Sequence, residues 1–432
     1  MSGKYRNYLL KYKNSHEAKT LLGNFSWLAA LQVITYLFPM ITMPYLARVI
    51  GVDGFGKIAF AAAVMVWIQT ITDWGFNTTA SRDIARARDN KEQLSKIYCN
   101  VQYSRLMMML LSFGLLLILI LIIPKFRESS AILIVTFLMV PGHIAFPTWF
   151  FQGVERMKYS TILNIVARTL FTLAVFIFIK EKDDYILQPL LNSFGFICSG
   201  IIAQLIIFRF WGVRLIRPRW CEIKSTISNS FDVFINTIMP NLYNSFSVML
   251  LGFVGGPTSN GLLDAGRKFV AIGHSIVDII TQAFYPFLSR RIEKHKEYVL
   301  ISVIVSTGMA LVLFLGAPIF IHVFFTQEFY DSIPIMRICA LGIVPIALCR
   351  AYGTGYMILQ GYEKQLRNIT VIVSACGFFL AFPLIGCFDH YGAAINITFS
   401  QVLLGLVVMF YGLKIKKNTI SNIGGDKKIL SK

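Results

Sequence analysis

The chain is short of charge, and shorter still of acid. Of its 432 residues, 15% are charged and 56% apolar, with 22 acidic residues against 41 basic ones. Soluble domains carry about a quarter charged residues, so an ordinary water-soluble fold is excluded. No segment reads GxxxxGK[ST], so the chain brings no ATP-binding loop of its own. No HExxH, GxSxG or paired-carboxylate motif stands in a connector, which argues against a hydrolase or a membrane glycosyltransferase. Cysteine is sparse. Cys99, Cys198, Cys221, Cys339, Cys349, Cys376 and Cys387 form no CxxC pair, and most sit inside apolar blocks. They read as small buried hydrophobes, with neither a disulfide nor a metal site expected. The six histidines are scattered. The glycine-rich run Gly51-Val52-Asp53-Gly54-Phe55-Gly56 joins two apolar blocks, which is no setting for a dinucleotide.

What the chain has instead is apolar blocks of 18 to 26 residues separated by short polar connectors. Each is long enough to cross a hydrocarbon core of about 30 Å at about 1.5 Å per residue. Spanning helices are expected near 22–44, 57–74, 101–123, 130–152, 161–180, 186–208, 230–254, 265–288, 299–323, 333–359, 368–388 and 391–413. The first 21 residues are polar and basic without a cleavage-type site, and the block after them is too long for a signal peptide, so it is kept as a helix. The expected fold is an all-α membrane protein of about twelve transmembrane helices in two six-helix lobes. Residues 1–212 form the first lobe, 213–229 a cytoplasmic linker, 230–414 the second lobe and 415–432 a basic cytoplasmic tail.

Charge sets the orientation. The chain ends and alternate connectors hold 29 Lys and Arg. The opposite connectors, counting helix ends, hold six: Arg48, Lys57, Lys125, Arg127, Lys180 and Lys182. Such an asymmetry over short loops places both termini in the cytoplasm. It also accounts for the net charge of +19 without nucleic acid, since no basic domain exists to carry a groove.

Three matches suggest a duplicated unit. Gln152-Gly153-Val154-Glu155 recurs as Gln360-Gly361-Tyr362-Glu363, Gly54 as Gly261, and Asn24-Phe25 as Ser230-Phe231, at offsets of 208, 207 and 206. Six helices per unit is even, so the halves share an orientation and are related by an axis along the membrane normal.

Ionisable groups inside a membrane cost about 2.5–3.5 kcal/mol each on insertion scales. Six cations fall within the expected helices: Arg105, Arg168, Arg267, Lys268, Arg337 and Arg350. Arg105 and Arg337 stand near helix ends and can snorkel. Arg168 and Arg350 lie deeper and point to a cavity, or to a structural pair. On the eighth helix Arg267, Ala271, His274, Asp278, Thr281 and Tyr285 step by four and three, so they share one face, with Lys268 at its start. Asn241 and Asn244 share a face with Thr237 and Ser245 on the seventh helix. Asn164, Arg168 and Thr172 line up on the fifth, and Pro39 and Pro44 imply a kink or break in the first. Amides and hydroxyls of this kind also simply bind neighbouring helices. Deep cations outnumber deep anions, so a cavity lined by Arg168, Arg267, Lys268, Arg350, Asn241 and Asn244 would favour an anion such as a pyrophosphate.

Some of these segments resemble a known family. Pro147-Thr148-Trp149-Phe150-Phe151-Gln152-Gly153-Val154-Glu155-Arg156-Met157-Lys158-Tyr159 resembles the signature of bacterial polysaccharide flippases of the Wzx type, the O-antigen repeat-unit translocases. So do Gly75-Phe76-Asn77-Thr78-Thr79-Ala80-Ser81-Arg82-Asp83-Ile84-Ala85 and Pro44-Tyr45-Leu46-Ala47-Arg48-Val49-Ile50-Gly51. The resemblance implies the multidrug/oligosaccharidyl-lipid/polysaccharide exporter fold. It implies a substrate of undecaprenyl-pyrophosphate-linked oligosaccharide, flipped across the bacterial inner membrane by alternating access for surface polysaccharide assembly, with the polymerase as a further partner. It implies no enzyme activity and no cofactor beyond a coupling H+ or Na+, for which Asp278 and His274 are the candidate residues. The motifs themselves read as interface and turn elements, and Trp149, Phe150 and Phe151 equally as an aromatic belt. The alternatives are an ion-coupled multidrug antiporter, which would want acids in its cavity, and a flippase for the peptidoglycan lipid precursor, both of the same fold. A membrane glycosyltransferase or O-antigen polymerase would need a large external loop or an external acidic motif.

The topology is checked by cysteine accessibility. A reporter at 181–185 is expected to react from the periplasmic side only; reaction from the cytoplasm would invert this half of the chain.

Overall fold

The computed structural model describes the backbone of residues 16–429. The polar stretch ahead of residue 16 and residues 430–432, parts of the expected basic ends, lie outside the described residues. So do the side chains of 16–26, 28, 29, 36, 286 and 418–429, which include the Asn24-Phe25 pair of the repeat match. Among the described residues there is no strand. The helices are α1 (His16–Val49), α2 (Gly51–Asp73), α3 (Phe76–Ala87), α4 (Lys91–Ile122), α5 (Pro124–Glu128), α6 (Ser130–Phe137), α7 (Met139–Ala145), α8 (Thr148–Gly153) and α9 (Met157–Phe178). They continue as α10 (Leu187–Phe210), α11 (Trp220–Ile238), α12 (Ser245–Val254), α13 (Gly256–Leu288), α14 (His295–Phe324), α15 (Ser332–Ala340), α16 (Ile343–Cys349) and α17 (Glu363–Ile429).

Nine helical runs among the described residues are long and apolar enough to cross a membrane. Two expected spans are missing from that set for physical reasons. The span at 230–254 is interrupted by a 3₁₀ turn at Met239–Leu242 that contains Pro240, where a missing N–H breaks the helical ladder. The span at 265–288 lies within the 33-residue α13, which is long enough but carries the charged stripe. One run hides two helices. α17 is interrupted at Asp389, whose φ is 50° and ψ −127°. A Cβ on Gly377 would meet Ser400, and one on Gly392 would meet Leu384. The near-constant sum of those paired positions makes the two segments an antiparallel hairpin, as the separate 368–388 and 391–413 helices anticipate.

The chain divides into two compact units. One comprises residues up to Val49 with Val64–Ile238; the other comprises Ile50–Ala63 with residues from Met239 onward. The segment 213–238 thus groups with the first unit. α2 is one continuous helix whose first turns belong to the second unit and whose last turns belong to the first.

In the first unit, one end holds a dense apolar cluster. Phe76, Ala80 and Ile84 of α3 pack with Tyr98 of α4 and with Trp149, Phe150 and Phe151 of α8. The three α8 aromatics are wholly buried, so they are core and not the interfacial belt that the sequence equally allowed. A Cβ on Gly153 would lie 2.6 Å from Ile84 and 2.8 Å from the Ser81 carbonyl. The two longest family-like motifs therefore pack on each other, and Arg88 pairs with Glu155 at 3.0 Å across their ends.

The two Gln-Gly motifs end their helices the same way. Arg156 N–H donates to Phe151 O at 2.9 Å after Glu155 at φ 57°, and Tyr362 N–H donates to Met357 O at 2.9 Å after Gly361 at φ 80°. This is the left-handed C-cap that satisfies terminal carbonyls. The equivalent cap positions, 155 and 361, stand 206 apart, where the sequence match suggested 208.

In the second unit, the start of α2 crosses the start of α13 at backbone contact. A Cβ on Gly56 would fall 1.6 Å from Pro257 O, and one on Gly261 2.2 Å from Val52 O. Only glycine permits this approach. Gly56→Val is expected to cost at least the ~1–3 kcal/mol typical of overpacking, read as a lowered melting temperature of the purified protein in detergent. Wild-type stability would show the crossing to be loose.

Candidate functional site

The polar stripe of α13 finds its partners one element at a time. Lys268 Nζ lies 2.9 Å from Asp264 one turn earlier on the same helix. Arg267 Nη2 donates to Asn244 Oδ1 at 3.4 Å. Asp278 Oδ1 accepts from Arg350 Nε at 2.8 Å. Thr281 Oγ1 accepts from Tyr298 Oη on α14 at 3.0 Å. His274 lies within electrostatic reach of both Arg267 and Arg350. Asn244, Arg267, His274, Asp278 and Arg350 are thus assembled within the second unit. Asn241 stands in the 3₁₀ turn that interrupts the helix before Asn244.

Local breaks create this arrangement. Asn244 Nδ2 donates to Pro240 O at 3.3 Å, closing the interruption, while its Oδ1 turns to Arg267. Arg350 opens a π-helical segment, Arg350–Met357; such segments frequently mark functional positions. His295, 1% exposed, donates from Nε2 to Ala351 O at 3.0 Å and accepts at Nδ1 from Lys416 Nζ at 3.4 Å. Its ring therefore carries its proton on Nε2 and ties the π segment to α14 and α17. Sequence reasoning missed His295. The available signal was Arg350-Ala351-Tyr352-Gly353-Thr354-Gly355, an Arg beside two glycines in an otherwise apolar run.

The partner of Asp278 is Arg350, from a different element, and neither Arg267 nor Lys268 of its own helix. With Asp264 on Lys268 and Asp278 on Arg350, Arg267 is left with a neutral amide and no carboxylate among the described residues.

Three other membrane-embedded arginines have structural work. Arg105 is 3% exposed and pairs with Asp73, so it does not snorkel. Arg168 Nη1 points to Thr35 O at 3.5 Å. Thr35 is four residues before Pro39, and a proline leaves the carbonyl at i−4 without its helical donor. Arg337 Nε donates to Phe314 O at 3.3 Å with its guanidinium 5.8 Å from the Phe314 ring. Phe314 is four residues before Pro318, so the device recurs. Arg168 belongs to the first unit and is not part of the α13 assembly. Despite Pro39 and Pro44, α1 runs helical to Val49.

Residues 21–292 match a family described as polysaccharide biosynthesis protein. The chain belongs to that family. A protein of Escherichia coli (strain K12) provisionally named an O-antigen transporter is 28% identical over 400 residues, covering 90% of this chain and 96% of that protein. A similarly named protein of Shigella dysenteriae is 26% identical over 386 residues, covering 87% and 95%. The fold is similar to those of an inward-facing and an outward-facing multidrug resistance MATE family transporter of the MOP superfamily. The TM-score is 0.63 in both cases, at 14% and 13% identity, with 90% and 92% of this chain and 99% and 97% of those chains covered. The chain is thus a multi-pass membrane transporter of the polysaccharide exporter kind and not an enzyme. The family-like motifs at 75–85 and 147–159 serve packing and helix termination in it, as their sequence suggested.

The Asp278–Arg350 pair is testable by a double-mutant cycle. Asp278→Asn alone leaves Arg350 without its counter-charge and is expected to destabilise more than the double change with Arg350→Gln. The coupling is expected at about 0.5–3 kcal/mol, read from thermal unfolding in detergent. Strict additivity would mean that the pair is not formed.

Proposed function

We propose that this protein moves an undecaprenyl-pyrophosphate-linked oligosaccharide repeat unit from the cytoplasmic to the periplasmic leaflet of a bacterial inner membrane by alternating access. Family membership and the O-antigen transporter relatives support a lipid-linked saccharide as cargo. The observation that carries the finer reading is Arg267, an embedded cation on the α13 stripe that among the described residues has neither the carboxylate of Arg105 or Arg350 nor the freed carbonyl of Arg168 or Arg337. A charge in a membrane needs a counter-charge, and a diphosphate supplies one with oxygens for the guanidinium fork. Lys268, Arg350, Asn241 and Asn244, all of the same unit, would complete the contact set; Arg168 belongs to the other unit and is engaged by a freed carbonyl. The same surplus of cations opposes a cationic drug as cargo, which would want free acids.

Coupling to a proton is part of this proposal. Asp278 and His274 stand one turn apart on α13, on the stripe that carries Arg267. An arriving anion weakens the local positive field and so favours protonation of a nearby carboxylate or imidazole. Coupling requires that the proton and the cargo bind two conformations with different affinity.

Arg267→Ala is expected to lower surface polysaccharide about tenfold or more, the scale of one charged hydrogen bond, with partial recovery in Arg267→Lys, where charge survives without the fork. Normal surface polysaccharide at normal expression of Arg267→Ala would refute anion capture there. In reconstituted vesicles Asp278→Asn is expected to bind cargo yet lose the response of flipping to an imposed pH gradient. An unchanged response would leave Asp278 with its pairing role alone.

A further inference from the structure

Residues 211–219 join α10 to α11 without secondary structure and are strapped to the first turns of α4. Arg214 N–H donates to Ser95 Oγ at 3.1 Å, Ile216 N–H donates to Cys99 Sγ at 3.3 Å, and the Cys99 thiol donates back to Arg214 O at 3.5 Å. The strap has an inner side. Val213 is buried in the apolar cluster, and Trp211 packs edge-on against Phe150, Phe151 and Tyr159.

Its outer side is unusual. Phe210 is 69% exposed, Leu215 74% and Trp220 65%, with Ile216 beside them. Between these large apolar side chains stand Arg209, Arg214 and Arg217, all exposed, and none has an acidic partner among the described residues. Water is a poor environment for the first set, and a bare hydrocarbon core for the second. A headgroup layer suits both, since apolar bodies sink toward acyl chains while guanidinium groups meet phosphates.

Strap and helix also enclose a cleft of about 300 Å³, lined by Lys96, Asn100, Arg217, Arg219 and Glu222 among others. Two of its three cations, Lys96 and Arg219, are already used. Glu222 accepts from Lys96 at 2.9 Å and from Arg219 at 2.6 Å. The Lys96 hydrogen bond first and the Arg219 one second hold its carboxyl down to about 2, so the clamp persists through neutral pH. The cations that remain unpaired are dispersed along the strap. A compact diphosphate wants convergent charge, whereas a lipid leaflet reads dispersed charge.

We propose that the 209–220 strap is a docking surface for the leaflet itself, binding the headgroups of monoanionic phospholipids through Arg209, Arg214 and Arg217, with acyl chains against Phe210, Leu215, Ile216 and Trp220. The occupant is bulk anionic lipid, not cargo. The surface fixes this end of the first unit at headgroup depth, independently of what the protein carries.

The test is lipid retention by the purified full-length protein in detergent, measured by native mass spectrometry, so transport plays no part in it. Phosphatidylglycerol is expected to be retained over phosphatidylcholine about tenfold or more. The triple variant Arg209→Gln, Arg214→Gln, Arg217→Gln is expected to bring that preference to within about twofold, and the corresponding triple Lys variant to keep it, because these are point charges at a surface. Undecaprenyl diphosphate at equal concentration is expected not to displace phosphatidylglycerol. Undiminished preference in the Gln variant overturns the proposal. So does the absence of any preference in wild type. Displacement by undecaprenyl diphosphate that the Gln variant abolishes would assign the strap to cargo instead.

Discussion

A hydrocarbon core offers no hydrogen-bond partners, so every backbone group and every charge within it must be answered by the protein. That constraint organises both units. Each proline inside a spanning helix frees a carbonyl one turn back, and in two cases an arginine from another helix answers it: Arg168 for Thr35 O behind Pro39, Arg337 for Phe314 O behind Pro318. The π segment after Arg350 is held in the same spirit by His295 on Ala351 O. The interruption at Met239–Leu242 is closed by the Asn244 amide on Pro240 O. Irregular backbone is tolerated at these places because side chains from the same unit complete it.

Charge follows the same rule: two embedded arginines, Arg168 and Arg337, are answered by freed carbonyls and three cations by carboxylates. Asp73 answers Arg105, Asp264 answers Lys268, and Asp278 answers Arg350. Acids are scarce in this chain, and these three are spent. Arg267 is left with an amide oxygen. The other cations on this side of α13 each have a carboxylate, and the one without stands on the polar stripe, which is the ground for the anion capture proposed above. This is why the α13 stripe, and not the count of embedded arginines, carries the functional reading.

Much of this was legible from sequence alone, and what was not has a physical explanation. The long apolar runs match helices at 161–180, 186–208 and 299–323 and a broken helical run at 333–359, and the hairpin at 368–388 and 391–413 was resolvable because two polar residues separate two apolar blocks. Stepping by three and four placed Arg267, His274 and Asp278 on one face of α13. Periodicity describes one helix at a time, however. It does not say that Asp278 faces Arg350 rather than Lys268, nor that Arg105 has Asp73 across from it rather than water. The proline–arginine pairs were half legible: Pro39 and Pro318 announce freed carbonyls, but the donors come from 133 and 23 residues away. The aromatic run at 149–151 could be read either way because belts and cores draw on the same residues; only contact with α3 distinguishes them.

The chain passes from one unit to the other at three points, and the local backbone differs at each. After Val49 it turns through Gly51 at φ 66°. After Ile238 it runs into the 3₁₀ turn with Pro240. Between Ala63 and Val64, by contrast, it crosses in the middle of α2, where Ala61-Ala62-Ala63 continue an intact helix. Alanine is the best helix former, which suits the unbroken helix here. The far end of the rod is equally well defined. α2 stops at Asp73, and the chain reverses through Trp74 at φ 43° and Gly75 at φ 77°. A positive φ at tryptophan is costly, and two contacts with α11 hold it: Trp74 stacks on Phe234 at 3.9 Å and donates from Nε1 to Ile227 O at 3.1 Å. Asp73, at the last turn of the rod, is the residue that answers Arg105. α2 is therefore held at its start by glycine-tight backbone contact with α13, and its end lies beside an ion pair and an aromatic stack.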